Sequence, residues 1–293
     1  MIVDKQQNIK VHFATCEKIN RAIITKAAKV NYGLGTAFPF VWQKINTGKF
    51  SNDKIIKRIS RNYNHFILDS GLFTLMFGSK AGKKDEAYLD KWFEALTDYT
   101  LNEEYTGTLV EVDCQKVLGV EKAWEYRIKM REKIPNRIIN VFHIEDKLKG
   151  LDRLIEFSDY IAFSVPELRI IKKKEYLYRL ASYAKNKKPS IDIHLLGFTE
   201  KNNFQKMKLC TSCDSSSWTA ALRYGGIDTL KGKAHIKNVK KETIKRRSKR
   251  YINIKDKLFP NWTAPKDLTH DSLMVLSAEE SLKIYERYAG NQN

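Results

Sequence analysis

Several short apolar runs of the chain stop on a residue that can hold or move a proton. "HFILD" ends on Asp69, "TLVEVD" on Asp113, "IINVFH" on His143, "DYIAFS" on Ser164 and "KLCTSCD" on Asp214. A sixth, "IDIHLLG", ends on Gly197. Three of these ends are carboxylates, in a chain with 53 Lys and Arg against 34 Asp and Glu and a formal net charge of +19. Any one of them alone is explained as a helix cap or a turn aspartate. Together, at successive strand ends, they suggest a shared site. Two carboxylates facing one sugar suit retaining glycosyl chemistry, in which one attacks the anomeric carbon and the other moves protons.

The elements that would carry these residues alternate. Strand candidates run over 11–15, 65–69, 108–113, 138–143, 159–164, 191–197 and 208–214, rich in β-branched and aromatic residues. Several lack clean alternation, as strands covered on both faces do. Between them, 85–100 sets Leu89, Trp92, Phe93 and Leu96 at helical spacing, and 120–133, 147–157 and 170–186 also read as helices. The order predicts a parallel sheet with helical crossovers, closed as a TIM-like (β/α)₈ barrel rather than doubly wound. In such a barrel the strand ends above open into one mouth. The barrel is expected over 1–228, followed by a basic helical extension over 229–293 that contacts nucleic acid.

Residues 231–250, "KGKAHIKNVKKETIKRRSKR", carry ten Lys or Arg and one acidic residue. Such density points to phosphate contact, assigned to Lys240, Lys241, Lys245, Arg246, Arg247, Lys249 and Arg250, with Arg223 beside the last strand. Residues 259–273 read as a Pro-containing loop, and 277–289 as a closing helix with Ser277 as N-cap and Glu280 three residues on.

Composition narrows the class further. An apolar content of 42% and 11% aromatics argue for a packed core. The net charge attracts polyanions, nucleic acid before membrane surfaces. No apolar run approaches the ~18 residues of a membrane span, and the first residues lack the apolar core of a signal peptide. A cytoplasmic location is expected. Cys210 and Cys213 have CxxC spacing without a second ligand pair, so no zinc site is expected. There is no GxxxxGK[ST] and no GxSxG, and the Gly33–Gly35 "GLG" is too short for a dinucleotide fingerprint.

"LDSGLFTLMFG" (68–78) resembles the "DSGGFQ" motif of the tRNA-guanine transglycosylase superfamily, and "CDSSSWTAALRYG" (213–225) resembles the "VDSTSW…RYG" pattern of its phage-type members. Some of those insert 7-deazaguanine derivatives into DNA. "VFHIEDKLKGLDRLIEFSDYIAFS" (141–164) has the spacing of their "VFH…YVALGG" segment, so the likeness spans residues 65 to about 226. It implies Asp69 as general acid/base and Asp214 as nucleophile. It implies Asp113 and His143 as readers of the purine, with Ser70, Gly71, Phe73, Ser164 and Gly197 around the base. The implied reaction exchanges guanine in nucleic acid for a 7-deazaguanine base, with no cofactor beyond that co-substrate. A flipped or unpaired target base is required.

Three departures from the pattern matter. Ser164-Val165-Pro166-Glu167 stands where the family has Gly-Gly, and a proline donates no N–H. Leu72 replaces the second glycine of "DSGGF". The family's C-terminal cysteine–histidine zinc site is absent, which favours DNA over tRNA as partner, with the basic tail as a different docking device. Phe73, Phe142 and Trp218 are candidate stacking aromatics. The hydroxyls of Ser215, Ser216 and Ser217 and backbone N–H groups are expected around Asp214, and a raised proton affinity at Asp69. The alternatives are a tRNA-acting relative, a base glycosylase finished by water, and a non-catalytic nucleic-acid-binding barrel.

Overall fold

The computed structural model describes residues 8–50, 54–73, 85–170, 174–198, 200–219, 226–235, 244–245 and 267–292. Eight parallel strands close in chain order into one barrel. They are β1 (Lys10–Phe13), β2 (Tyr32–Thr36), β3 (His65–Asp69), β4 (Thr108–Val110), β5 (Ile138–Phe142), β6 (Tyr160–Ser164), β7 (Asp192–Leu196) and β8 (Ser212–Ser215). Closure is made by β1 against β8, with His12 opposite Asp214 in register. The (β/α)₈ expectation holds. The strands end one to three residues earlier than read in four cases, most at β4, which leaves Asp113 on the loop beyond Val110.

β2 is the strand the sequence reading passed over. Its "YGLGT" sets Gly33 and Gly35 on the outer face, where glycine lowers strand propensity. A Cβ at Gly33 would stand 2.8 Å from the Tyr63 ring, and one at Gly35 2.9 Å from Phe66. The glycines thus let two aromatics press directly on the strand.

Side chains alternate between two packed layers. Ile67, Val110, Ile139, Val141 and Ala162 fill the barrel interior. Phe66, Leu68, Leu109, Phe142 and Phe163 pack outward under the helices. The described helices on that outer layer include α1 (Ile19–Ala27), α2 (Phe38–Thr47), α3 (Ile55–Ser60), α4 (Glu86–Asn102), α5 (Gln115–Leu118), α6 (Val120–Lys133) and α7 (Lys147–Phe157). They continue with α8 (Val165–Ile170), α9 (Leu177–Lys187) and α10 (His270–Ala289). The Asp85 carboxylate caps α4 by accepting from the Tyr88 N–H at 2.9 Å.

The closing helix begins earlier than Ser277. Thr269 caps α10 reciprocally with Ser272. Ser277 lies buried inside the helix and donates to the Trp218 carbonyl at 2.6 Å, and residues 270–273 are helical rather than loop. Tyr285 packs edge-on against Phe13. Gln292 follows α10, accepts from the Val11 N–H and donates to the Ile9 carbonyl. The chain's end is therefore fastened to β1, and α10 covers the seam where the barrel closes. No helix of the described residues is long and apolar enough to cross a membrane.

Candidate active site

Alternation decides which strand-end residues face the mouth. Asp69 shares the inward parity of Ile67, His143 that of Val141, and Ser164 that of Ala162. At β3 the chain turns sharply after the carboxylate. Asp69 Oδ1 accepts from the Gly71 N–H at 3.0 Å, an Asx turn. Gly71 sits at φ +80°, and a Cβ there would lie 2.6 Å from the Phe38 backbone nitrogen. Only glycine fits, which explains the "DSG" order physically. Trp92 Nε1 donates to the Ser70 carbonyl at 3.2 Å and locks the turn against α4.

Burial pushes the Asp69 carboxyl up to about 6, opposed by the Gly71 N–H and reinforced by the negative charges of Asp214 and Asp113. The three sequence-predicted carboxylates thus stand on one rim of the barrel, Asp69 and Asp214 at strand ends and Asp113 on the loop after β4. Residues 145 positions apart, Asp69 and Asp214, sense each other there.

Asp214 is held by a backbone N–H, as expected, but by a histidine in place of the expected serine hydroxyls. Its Oδ1 accepts from the Gly197 N–H at 2.8 Å and from His194 Nε2 at 3.3 Å. The serine hydroxyls take no part. Ser215 Oγ pairs with Ser217 Oγ, Ser217 Oγ pairs with the Tyr285 hydroxyl, and the Ser216 carbonyl accepts from Thr219. Ser215 has the opposite parity to Asp214, so it points outward toward α10. The Asp214 side chain is 14% exposed. Its Oδ2 carries no hydrogen bond among the described residues.

A second corner is built from β5 and the loops after β4 and β6. His143 Nε2 lies 2.6 Å from Asp113 Oδ1 and His143 Nδ1 3.1 Å from Glu167 Oε2. Burial alone would lower its proton affinity, but the hydrogen bonds to Asp113 and Glu167 carry it up to about 10. His143 is thus an imidazolium at neutral pH, donating on both sides. Glu167 is drawn well below the usual carboxylate range, against its burial, by His143 and Lys116. Lys116 Nζ sits 2.9 Å from Glu167 Oε1 and also pairs with Glu145. His143, Glu145 and Glu167 have ligand atoms within 4.8 Å of one another, but the Lys116 ammonium already balances the two glutamates. Asp113 is 29% exposed and keeps Oδ2 unbonded among the described residues.

Other predicted base contacts separate. Gly197, at φ +66°, serves Asp214 through its N–H. Ser164 Oγ accepts from the Glu167 N–H at 3.4 Å, capping the short turn that presents Glu167 to His143. Ser70 is buried in the turn, and Phe73 is 65% exposed. Trp218 and Phe142 do not line the mouth. Trp218 is fully buried with Nε1 donating to the Ala14 carbonyl, and Phe142 packs outward against Phe163. Arg223, Lys240, Lys241, Arg246, Arg247, Lys249 and Arg250 lie outside the described residues. Lys245 lies on a two-residue strand, β11 (Ile244–Lys245), paired with β12 (Asp267–Leu268). It follows β9 (Gly226–Thr229) and β10 (Gly232–His235), an antiparallel pair.

Three residues escaped the sequence reading: Glu167, Lys116 and His194. Glu167 stands three places after the β6 end, in the stretch noted only for its departure from Gly-Gly. His194 is a histidine inside an apolar strand, at the inward parity of Leu196. No protein-family model matches the chain, and no curated protein matches it significantly.

Proposed function

We propose that the protein is a base-exchanging transglycosylase that replaces guanine in nucleic acid, DNA in preference to tRNA, with a 7-deazaguanine base. The observation that carries this reading is the position of Asp69, Asp113 and Asp214 at or just beyond the ends of β3, β4 and β8 on one rim of the closed barrel, near enough for the charges of Asp214 and Asp113 to add to the burial that raises Asp69. The net charge of +19 suits a polyanionic partner.

In the first half-reaction, Asp214 Oδ2 attacks C1′ and forms a C1′–O bond. The C1′–N9 bond breaks, and guanine leaves with the proton donated by the Asp69 carboxylic acid. In the second, the Asp69 carboxylate takes the N9 proton of the incoming base, N9 bonds C1′, and the C1′–Oδ2 bond breaks with its electrons returning to Asp214. Two inversions give net retention. A carboxyl with an affinity near pH 6 serves both directions at neutral pH. Asp113, an acceptor held by the His143 imidazolium, matches the adjacent N–H donors on the Watson–Crick edge of a guanine-like base. An N-glycosidic bond is traded for another, so neither ATP nor a redox cofactor enters the balance.

The test is incorporation of isotope-labelled guanine into a DNA oligonucleotide and, separately, into tRNA. Label entering DNA and not tRNA supports the reading. Label entering only tRNA reassigns the partner, an abasic product reassigns the protein as a glycosylase, and no reaction with either removes the enzymatic reading.

A further inference from the structure

Beneath the mouth, the barrel interior is not filled by hydrocarbon alone. His12, His65, His194, Thr108, Tyr160 and Ser212 form two chains of hydrogen bonds there, and both end on β8. In the first, the Tyr160 hydroxyl is 2.5 Å from Ser212 Oγ, Ser212 Oγ is 2.6 Å from His194 Nδ1, and His194 Nε2 is 3.3 Å from Asp214 Oδ1. In the second, Thr108 Oγ1 is 2.9 Å from His65 Nε2, His65 Nδ1 is 2.8 Å from His12 Nε2, and His12 Nδ1 is 3.3 Å from the Cys213 carbonyl.

Proton counting orients both chains. A carbonyl only accepts, so His12 Nδ1 carries its hydrogen. Burial, with His65 and His194 nearby, keeps His12 neutral, so its Nε2 accepts from His65 Nδ1. Burial likewise lowers His65 to about 4, so His65 Nε2 accepts from Thr108. The Asp214 carboxylate also only accepts, so His194 Nε2 carries the hydrogen. With His194 neutral, Nδ1 accepts from Ser212, and Ser212 accepts from Tyr160. Every hydrogen then has an acceptor. A doubly protonated His194 would reverse the chain and leave the Tyr160 hydroxyl hydrogen without an acceptor among the described residues.

We propose that His194 is a positioning residue for Asp214. The chain from Tyr160 through Ser212 fixes the imidazole as its Nε2–H tautomer, and that N–H, with the Gly197 N–H, ties down Oδ1. Oδ2 is thereby the oxygen that faces the mouth. The second chain secures the carbonyl one residue earlier, so the carboxylate and its strand are held from below. The catalytic part of this inference rests on the transglycosylase reading; the tautomer part does not. In the proposed reaction the His194 hydrogen never transfers. It stays on Nε2, donated to Oδ1, while Oδ2 bonds C1′, and it stabilises the carboxylate as that bond breaks.

Two side chains separate the roles of the ring. Gln at 194 reaches the Nε2 position and donates to Asp214. Asn reaches only the Nδ1 position and keeps the Ser212 contact. Protein labelled with ¹⁵N-histidine is examined by long-range ¹H–¹⁵N NMR, with resonances assigned from His194→Gln. The expected result is His194 protonated on Nε2 and bare on Nδ1, with His12 and His65 in the opposite tautomer. His194 protonated on Nδ1, or on both nitrogens, overturns the proposal. Ser212→Ala removes the donor to Nδ1 while Asp214 still holds the Nε2 hydrogen, so the tautomer is expected to persist and the Nδ1 resonance to move downfield toward the value of a bare nitrogen with no hydrogen bond; an unchanged Nδ1 resonance would contradict the chain.

In exchange assays, His194→Asn is expected to lower kcat about 100-fold with KM for the oligonucleotide within about threefold, and His194→Gln to recover to within about tenfold of wild type. Equal losses in folded Gln and Asn variants contradict positioning. Wild-type protein with the expected tautomers but no exchange would retain the hydrogen-bonded chain and remove the transglycosylase reading.

Discussion

Two corners of the same mouth handle charge in opposite ways. Around Asp69, burial, with the negative charges of Asp214 and Asp113 adding to it, raises the carboxyl to about 6. Around His143, each carboxylate meets a cation: Asp113 and Glu167 bind the imidazolium, and Lys116 binds Glu167 and Glu145. One corner holds a carboxyl that can titrate near neutral pH, the other a set of paired charges. The difference comes from local chain geometry. The Asx turn at Asp69 supplies only N–H and O–H donors, whereas the short helices α5 and α8 that follow β4 and β6 bring in Lys116 and Glu167.

Breaking the proposed nucleophile has the largest expected effect. Asp214→Asn should abolish exchange, a loss beyond about 10³-fold, with oligonucleotide affinity nearly intact by fluorescence anisotropy. Asp69→Asn comes next, slowing exchange about 10²- to 10³-fold. The same variant sharpens the contrast through stability. A folded value near 6 lies above the ordinary 3.8, so this group's contribution is complete below pH 3.8 and declines as pH rises through 6. Asp69→Asn should therefore be more stable than wild type at pH 7, by on the order of 2–3 kcal/mol, with no difference near pH 3.5. Urea titrations at the two pH values measure it.

Glu167→Gln breaks the other corner. His143 loses one of its two carboxylates, and its proton affinity falls from about 10 toward the ordinary range. The basic limb of the activity profile should move to lower pH, and KM for the free base should rise about tenfold with a smaller change in kcat. In wild type, the stabilisation due to the His143 ion pairs is complete below pH 6.5 and is lost as pH rises through 10, so thermal melts across that window should flatten in His143→Gln. The smallest change per residue comes from neutralising Lys245, Arg246, Arg247, Lys249 and Arg250. Binding should weaken, with a shallower dependence of log affinity on log salt; an unchanged slope would show these charges to be ordinary solvated surface.

The barrel was legible because buried parallel strands leave apolar runs that end sharply, and because Leu89, Trp92, Phe93 and Leu96 announce a helix between two of them. β2 was hidden by Gly33 and Gly35, whose purpose, room for Tyr63 and Phe66, exists only in three dimensions. At the site, the strand-end residues Asp69, Asp214 and His143 could be read, since alternation and strand ends are properties of the chain. Parity alone would have turned Ser215 and Phe142 outward. The partners were not legible. Nothing in "IDIHLLG" tells that His194 lies beneath Asp214 across a strand boundary, and the Glu167–Lys116 contact spans 51 positions.

The central claim is that Asp214 Oδ2 forms a covalent bond to a sugar. Intact-protein mass spectrometry after acid quench, with a guanine-containing oligonucleotide and no incoming base, tests it most directly. The account predicts a mass increase equal to the oligonucleotide less one guanine on wild-type protein, mapped by digestion to Asp214, and none on Asp214→Asn. An adduct on another residue, or undiminished exchange by Asp214→Asn, would contradict it.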